Sequence, residues 1–171
     1  MNESPDFKKA EASALKVLEE NFITSWPVPV EELIEFQGLG LILSEFTDGE
    51  ISGVIDLNKK YLYINSSDSS QRQRFTIAHE LGHWILHRPE LAANEEIAVL
   101  YRRPLGTVEN NVLEQEANCF AANLLVPEVM LRRAIKQVND KSGNEASDAH
   151  LAKIFNVSRS VIGYRKKFLG I

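Results

Sequence analysis

The sequence predicts an α+β fold: a small antiparallel sheet of about three strands packed on one central helix, then a C-terminal helical hairpin. Three observations carry this. Residues 74–87, RFTIAHELGHWILH, are apolar on most faces of a helix, which marks a central element. Three short runs between Leu41 and Asn65 have strand length and composition. From Ala149 to Phe168, two helical patterns flank the turn Asn156-Val157-Ser158. With 171 residues, the chain can bury a full core as one domain with a small appendage. The main domain is expected over 1–140 and a C-terminal subdomain over 145–171, linked through Lys141-Ser142-Gly143-Asn144.

Each element follows from local pattern. Residues 6–22 place Phe7, Ala10, Ala14, Leu15, Val17 and Leu18 near helical spacing. Pro27 and Pro29 break that helix, because two prolines cannot lie within a regular element. A second short helix fits Val30 to Gln37, ended by Gly38 and Gly40. Leu41 to Phe46 reads as a strand, and Ile51 to Leu57 and Tyr61 to Asn65 flank the hairpin turn Asn58-Lys59-Lys60. Ser66 to Ser70 supplies capping residues for the central helix. Residues 88–110, with Pro89, Pro104 and Gly106, read as an irregular loop that covers a site. Helical spacing returns over Val112 to Val126, and Pro127 starts another helix running to about Val138.

The central helix carries His79-Glu80-Leu81-Gly82-His83, the pattern H-E-x-x-H. At about 100° per residue, positions i and i+4 share a face one turn apart, so two imidazoles can bind one Zn²⁺. Zinc lowers the pKa of a bound water to about 7, and the adjacent Glu80 can take its proton as general base. Core histidines on a helix are the competing explanation. Against it, two histidines and a glutamate in so apolar a helix cost desolvation unless something satisfies them. Gly82 costs about 1 kcal/mol of helix propensity relative to alanine, which makes sense if another backbone passes close by.

A catalytic zinc needs a third protein ligand. His87 lies another turn, about 6 Å, beyond His83, and is better suited to packing or to a hydrogen bond behind the site. Glu114 is the favoured ligand: Glu114 and Asn118 are i and i+4, and Ala117 beside them permits close helix approach. Asn118 can then accept the spare N–H of a zinc histidine. Glu116, about 200° around the helix from Glu114, is expected on a solvated face. Cys119, about 140° from Glu114, reads as a small buried hydrophobe. Tyr101, in the 88–110 loop, is a candidate for assisting the oxyanion.

RFTIAHELGHWILH (74–87) with EQEANCFAANLLVP (114–127), preceded by YLYINSS (61–67) and the Arg72/Arg74 pair, resembles the ImmA/IrrE family of zinc metallopeptidases. The resemblance implies a zincin-like core, His79, His83 and Glu114 as metal ligands, Glu80 as catalytic base and one Zn²⁺ per chain. It implies an intracellular endopeptidase that cleaves a helix-turn-helix transcriptional repressor encoded nearby, releasing genes of a mobile element, phage or stress response. In zincin-like proteases an edge strand beside the cleft pairs with extended substrate; Tyr61 to Asn65 is expected in that role, with Tyr61 and Tyr63 on one face.

Bulk properties agree. One cysteine excludes an internal disulfide framework, and the net charge of −5 argues against a general nucleic-acid coat. The polar start MNESPDFKKA and the lack of any run of about 18 apolar residues lead to the expectation of a cytoplasmic protein outside the membrane. Residues 148–171 read as a helix-turn-helix, with Ser158 as N-cap of its second helix and Leu169 and Ile171 as buried ends. Their five basic side chains against Asp148 alone would serve DNA contact, substrate docking, or neither if the hairpin only packs on the core. Two alternatives to a protease are a metal-binding regulator or antitoxin-like protein that acts by binding its partner, and a DNA-binding factor.

Overall fold

The computed structural model describes residues 4–47, 51–93 and 112–171. Helix α1 (Phe7–Glu20) starts at Asp6, whose carboxylate accepts the Lys9 N–H that the helix itself leaves unpaired. It buries Ala10, Ala14, Val17 and Leu18, while Leu15, expected on that face, lies at its rim and is 36% exposed. Helix α2 (Val30–Phe36) ends at Gly38, whose φ of 70° is the left-handed conformation that glycine adopts without strain.

Strands β1 (Gly40–Ser44), β2 (Gly53–Asp56) and β3 (Tyr61–Asn65) form one sheet in the order β1-β3-β2. β2 and β3 make the expected hairpin, with Asp56 opposite Tyr61, and Asp56 accepts the turn's Asn58 and Lys59 N–H groups. β1, however, runs parallel to β3, with Gly40 opposite Tyr61. The sheet is therefore mixed, which corrects the antiparallel expectation. β3 carries the fully buried Leu62 and Ile64 and takes the central place, where both its backbone edges are paired; β1 and β2 are separated by it.

Helix α3 (Ser70–Leu86) is capped by Ser69 and is buried without interruption from Thr76 to Trp84. It packs on the sheet, on α1 and α2, and most extensively on α5 (Val112–Leu125). A short helix α4 (Arg88–Ala93) occupies the start of the segment expected to be irregular. Pro89 sits in its first turn, where the missing N–H costs no helix bond. Helices α6 (Glu128–Ser142), α7 (Asp148–Phe155) and α8 (Arg159–Leu169) complete the chain. Among the described residues no helix is long and apolar enough to cross a membrane.

One hydrophobic cluster runs continuously from Ala10 on α1 to Ile162 on α8. Two buried arginines tie its parts together. Arg74 of α3 donates from Nη2 to the Val28 carbonyl (2.7 Å) and from Nε to the Asn156 carbonyl (3.2 Å) in the α7–α8 turn. Arg165 of α8, 0% exposed, donates from Nε to the Val126 carbonyl at 2.9 Å. Leu169 is partly buried against the cluster, but Ile171, expected as a buried end, is 39% exposed.

Gly82 marks where α3 and α5 touch. A Cβ there would lie 3.1 Å from Phe120 Cδ1 and 3.3 Å from Ala117 Cα, so the helices approach because Gly82 has no side chain to meet Phe120 and the Ala117 backbone. Gly82→Val is expected to overpack this contact at a cost of about 2 kcal/mol, lowering the thermal midpoint by about 4–8 °C. An unchanged midpoint in calorimetry would contradict so tight an approach.

Candidate metal centre

The helical register of α3 sets the rings of His79 and His83 edge to face, with their Nε2 atoms 3.0 Å apart. The Gly82–Ala117 contact carries α5 close enough for Glu114 to meet both: Oε2 lies 3.3 Å from His79 Nε2 and Oε1 lies 3.1 Å from His83 Nε2. Both histidines are buried, and one donor atom from each of the three residues falls within 4.8 Å of the others.

These donors fit a zinc ion. His79 Nδ1 lies 3.0 Å from Asn118 Oδ1, and an amide oxygen only accepts, so Nδ1 carries the hydrogen and Nε2 is bare. That bare nitrogen, a second imidazole and a carboxylate converge on one point, an arrangement that repels itself unless a cation sits among them. Two imidazoles and one carboxylate are a set that catalytic zinc uses, and ligand atoms on one tetrahedral ion with bonds of about 2.0–2.1 Å sit roughly 3.3–3.4 Å apart. The protonation preferences express the same demand. Burial works to raise the Glu114 pKa, but the imidazoles of His79 and His83 beside it hold it far below the usual carboxylate range. Burial opposes a proton on His79, yet Glu114 and the nearby Glu80 raise its pKa. In His83 burial wins, and its pKa falls to about 4.

Glu80 is a different kind of carboxylate. It is 6% exposed, and burial, reinforced by the charge of Glu114, pushes its pKa up to about 7 despite His79 beside it and a hydrogen bond from the Ile55 N–H of β2. A carboxylate poised near neutrality suits a group that must both take and give a proton.

The remaining candidates are distributed unevenly. Asn118 reaches His79, as described. His87 is the C-cap of α3 and stays out of the donor cluster, its Nδ1 instead 3.0 Å from His83 Nδ1, on the ring's far side. Glu116 was expected on a solvated face and is corrected: it is 7% exposed, because α5 is covered by α3 on one side and by α1 on the other. Its partners are His87 and the Asp6 backbone, the latter 110 residues away, so no local signal could have found them. Cys119 is fully buried, its thiol near the Phe7 carbonyl. The strand with Tyr61 and Tyr63 is central in the sheet, which corrects its expected role as an open edge; the strand that contacts Glu80 is β2, at the sheet's edge. Ile55 was not singled out from sequence, since its reach to Glu80 depends on this strand order. Tyr101 lies outside the described residues.

Comparison with known proteins bears on this geometry. Residues 35–167 match the family described as the IrrE N-terminal-like domain. Over 144 residues the chain is 27% identical to metallopeptidase ImmA of Bacillus subtilis, a stretch that is 82% of this chain and 76% of ImmA. Over 108 residues it is 32% identical to the radiation response metalloprotease IrrE of Deinococcus radiodurans, covering 63% of this chain but only 31% of IrrE. A solved structure of a Mycobacterium tuberculosis transcriptional regulator shares the fold, with a TM-score of 0.65 and 17% identity. That likeness takes in 92% of this chain and 46% of the regulator's.

Proposed function

Because this chain belongs to the ImmA/IrrE family of metallopeptidases, we propose that it is a zinc endopeptidase acting on a helix-turn-helix transcriptional repressor encoded beside it. His79, His83 and Glu114 would hold the ion and Glu80 would serve as base. The observation that carries this is the convergence of three metal-donor atoms beside the buried carboxylate of Glu80.

When bound, zinc supplies Lewis acidity that brings the pKa of a water to about 7 and polarises the scissile carbonyl. Glu80 accepts the proton of the attacking water and returns it to the leaving amine, which converts one carboxylate into base and then acid. The Ile55 N–H fixes the orientation of that carboxylate against β2. Asn118 accepts from His79 Nδ1 and so keeps the ring turned for coordination. β2 pairs with β3 on one side only among the described residues, and its other edge is where an extended substrate would add main-chain hydrogen bonds.

Selectivity requires a second surface, and the C-terminal segment is suited to it. Residues 128–171 carry nine Lys/Arg against four Asp/Glu, while the chain as a whole is acidic. Val129, Tyr164 and Phe168 stand exposed on α6 and α8 among those charges. Such a face complements an acidic, partly apolar protein surface. A long polyanion would instead extend over the acidic remainder, which disfavours DNA.

The test is incubation of the zinc-loaded protein with the regulator encoded by the neighbouring gene, read by intact-mass spectrometry. Two fragments whose masses sum to the regulator plus one water are expected. An uncut regulator in a stoichiometric complex would favour a partner-binding, non-proteolytic protein.

A further inference from the structure

The face of α5 turned toward α1 carries a chain of hydrogen bonds that the hydrolytic steps do not use. Glu116 accepts the Asp6 N–H through Oε1 at 2.6 Å, and its Oε2 lies 2.9 Å from His87 Nε2. His87, 1% exposed, brings its Nδ1 to 3.0 Å from His83 Nδ1. Outside the metal-donor cluster, two ring nitrogens at that distance share one hydrogen, so one of them donates and the other accepts. Glu116 decides which. Its carboxylate can only accept, so the hydrogen between it and His87 sits on His87 Nε2. A neutral imidazole protonated there has a bare Nδ1, which must accept from the Nδ1–H of His83. His83 then turns a bare Nε2 toward His79 and Glu114.

From this geometry we propose that Glu116 and His87 are positioning residues that fix the tautomer and orientation of His83 as a metal donor. The inference rests on the zinc reading above. It gives α5 three tasks from two faces: on one, Glu114 faces the ion and Asn118 holds His79; on the other, Glu116, through His87, holds His83. Because Glu116 also receives the N–H of Asp6, the N-cap of α1, the arrangement of His83 is tied to the N-terminal helix. It also accounts for the burial of Glu116, on the face of α5 turned away from the metal donors, and of His87 at the end of α3.

Two measurements decide it. Long-range ¹H–¹⁵N spectra of the wild type should place the hydrogen of His83 on Nδ1 and that of His87 on Nε2. A His87 protonated on Nδ1 would overturn the proposal. Zinc affinity, from competition with a chromophoric chelator, should fall about 10–100-fold in His87→Leu, the usual cost of losing an outer partner of a ligand. His87→Gln should stay close to wild type, because its amide oxygen can accept from His83 while its NH₂ donates to Glu116. Equal affinities in all three proteins, or equal losses in the two variants, would contradict a tautomer-setting role. If His87→Leu does not fold, the nitrogen spectra decide alone. A wild type that binds no zinc would sink the zinc reading instead, and the His87 tautomer would still be readable in the metal-free protein.

Discussion

Glu80→Gln is expected to bind about one zinc per chain and to cleave its protein substrate about 10²–10⁴-fold more slowly than wild type, the usual contribution of a general acid–base group. The amide keeps the shape of the side chain, and its oxygen can still accept the Ile55 N–H that the carboxylate receives. What it loses is the ability to take a proton from water near neutral pH. Zinc content by atomic emission and initial cleavage rates on the same preparation separate the two functions. Full activity in this variant would rule out Glu80 as the base, and loss of zinc would make it a ligand.

His83→Ala should lose metal and activity together. His83 Nε2 sits 3.0 Å from His79 Nε2 and 3.1 Å from Glu114, so its removal takes one corner from the donor set. The loss of affinity should exceed the roughly 10–100-fold that follows removal of an outer hydrogen-bond partner. A ligand that binds only the folded state raises stability by mass action. Added zinc should therefore raise the thermal midpoint of the wild type but not of His83→Ala, and a chelator should lower the first to its metal-free value. A zinc-dependent midpoint in His83→Ala would show that the ion is held elsewhere.

How far the sequence alone could be read depends on the range of each interaction. His79, Glu80 and His83 stand on one helix whose angular spacing is fixed, so their relation follows from counting residues. Glu114 and Asn118 could be paired with that face by the same counting on α5, given that Ala117 and Gly82 allow two backbones to meet. Counting fails where the environment of the opposite face matters. Glu116 was assigned to solvent because it points away from Glu114, yet α1 covers that side, and the angle between two residues says nothing about what packs there. The sheet shows the same limit. Alternation and the Asn58-Lys59-Lys60 turn define the β2–β3 hairpin, but placing β1 beside β3 is a long-range choice governed by burial of Leu62 and Ile64. That choice moved the open edge near Glu80 from β3 to β2.

The most direct test of the proposed centre is an anomalous difference map at the zinc absorption edge, from crystals grown with one equivalent of zinc. One peak per chain is expected within bonding distance of His79 Nε2, His83 Nε2 and a Glu114 oxygen, with Glu80 near but not bonded. A peak coordinated by Glu80 in place of Glu114, or one lying away from α3 and α5, would contradict it.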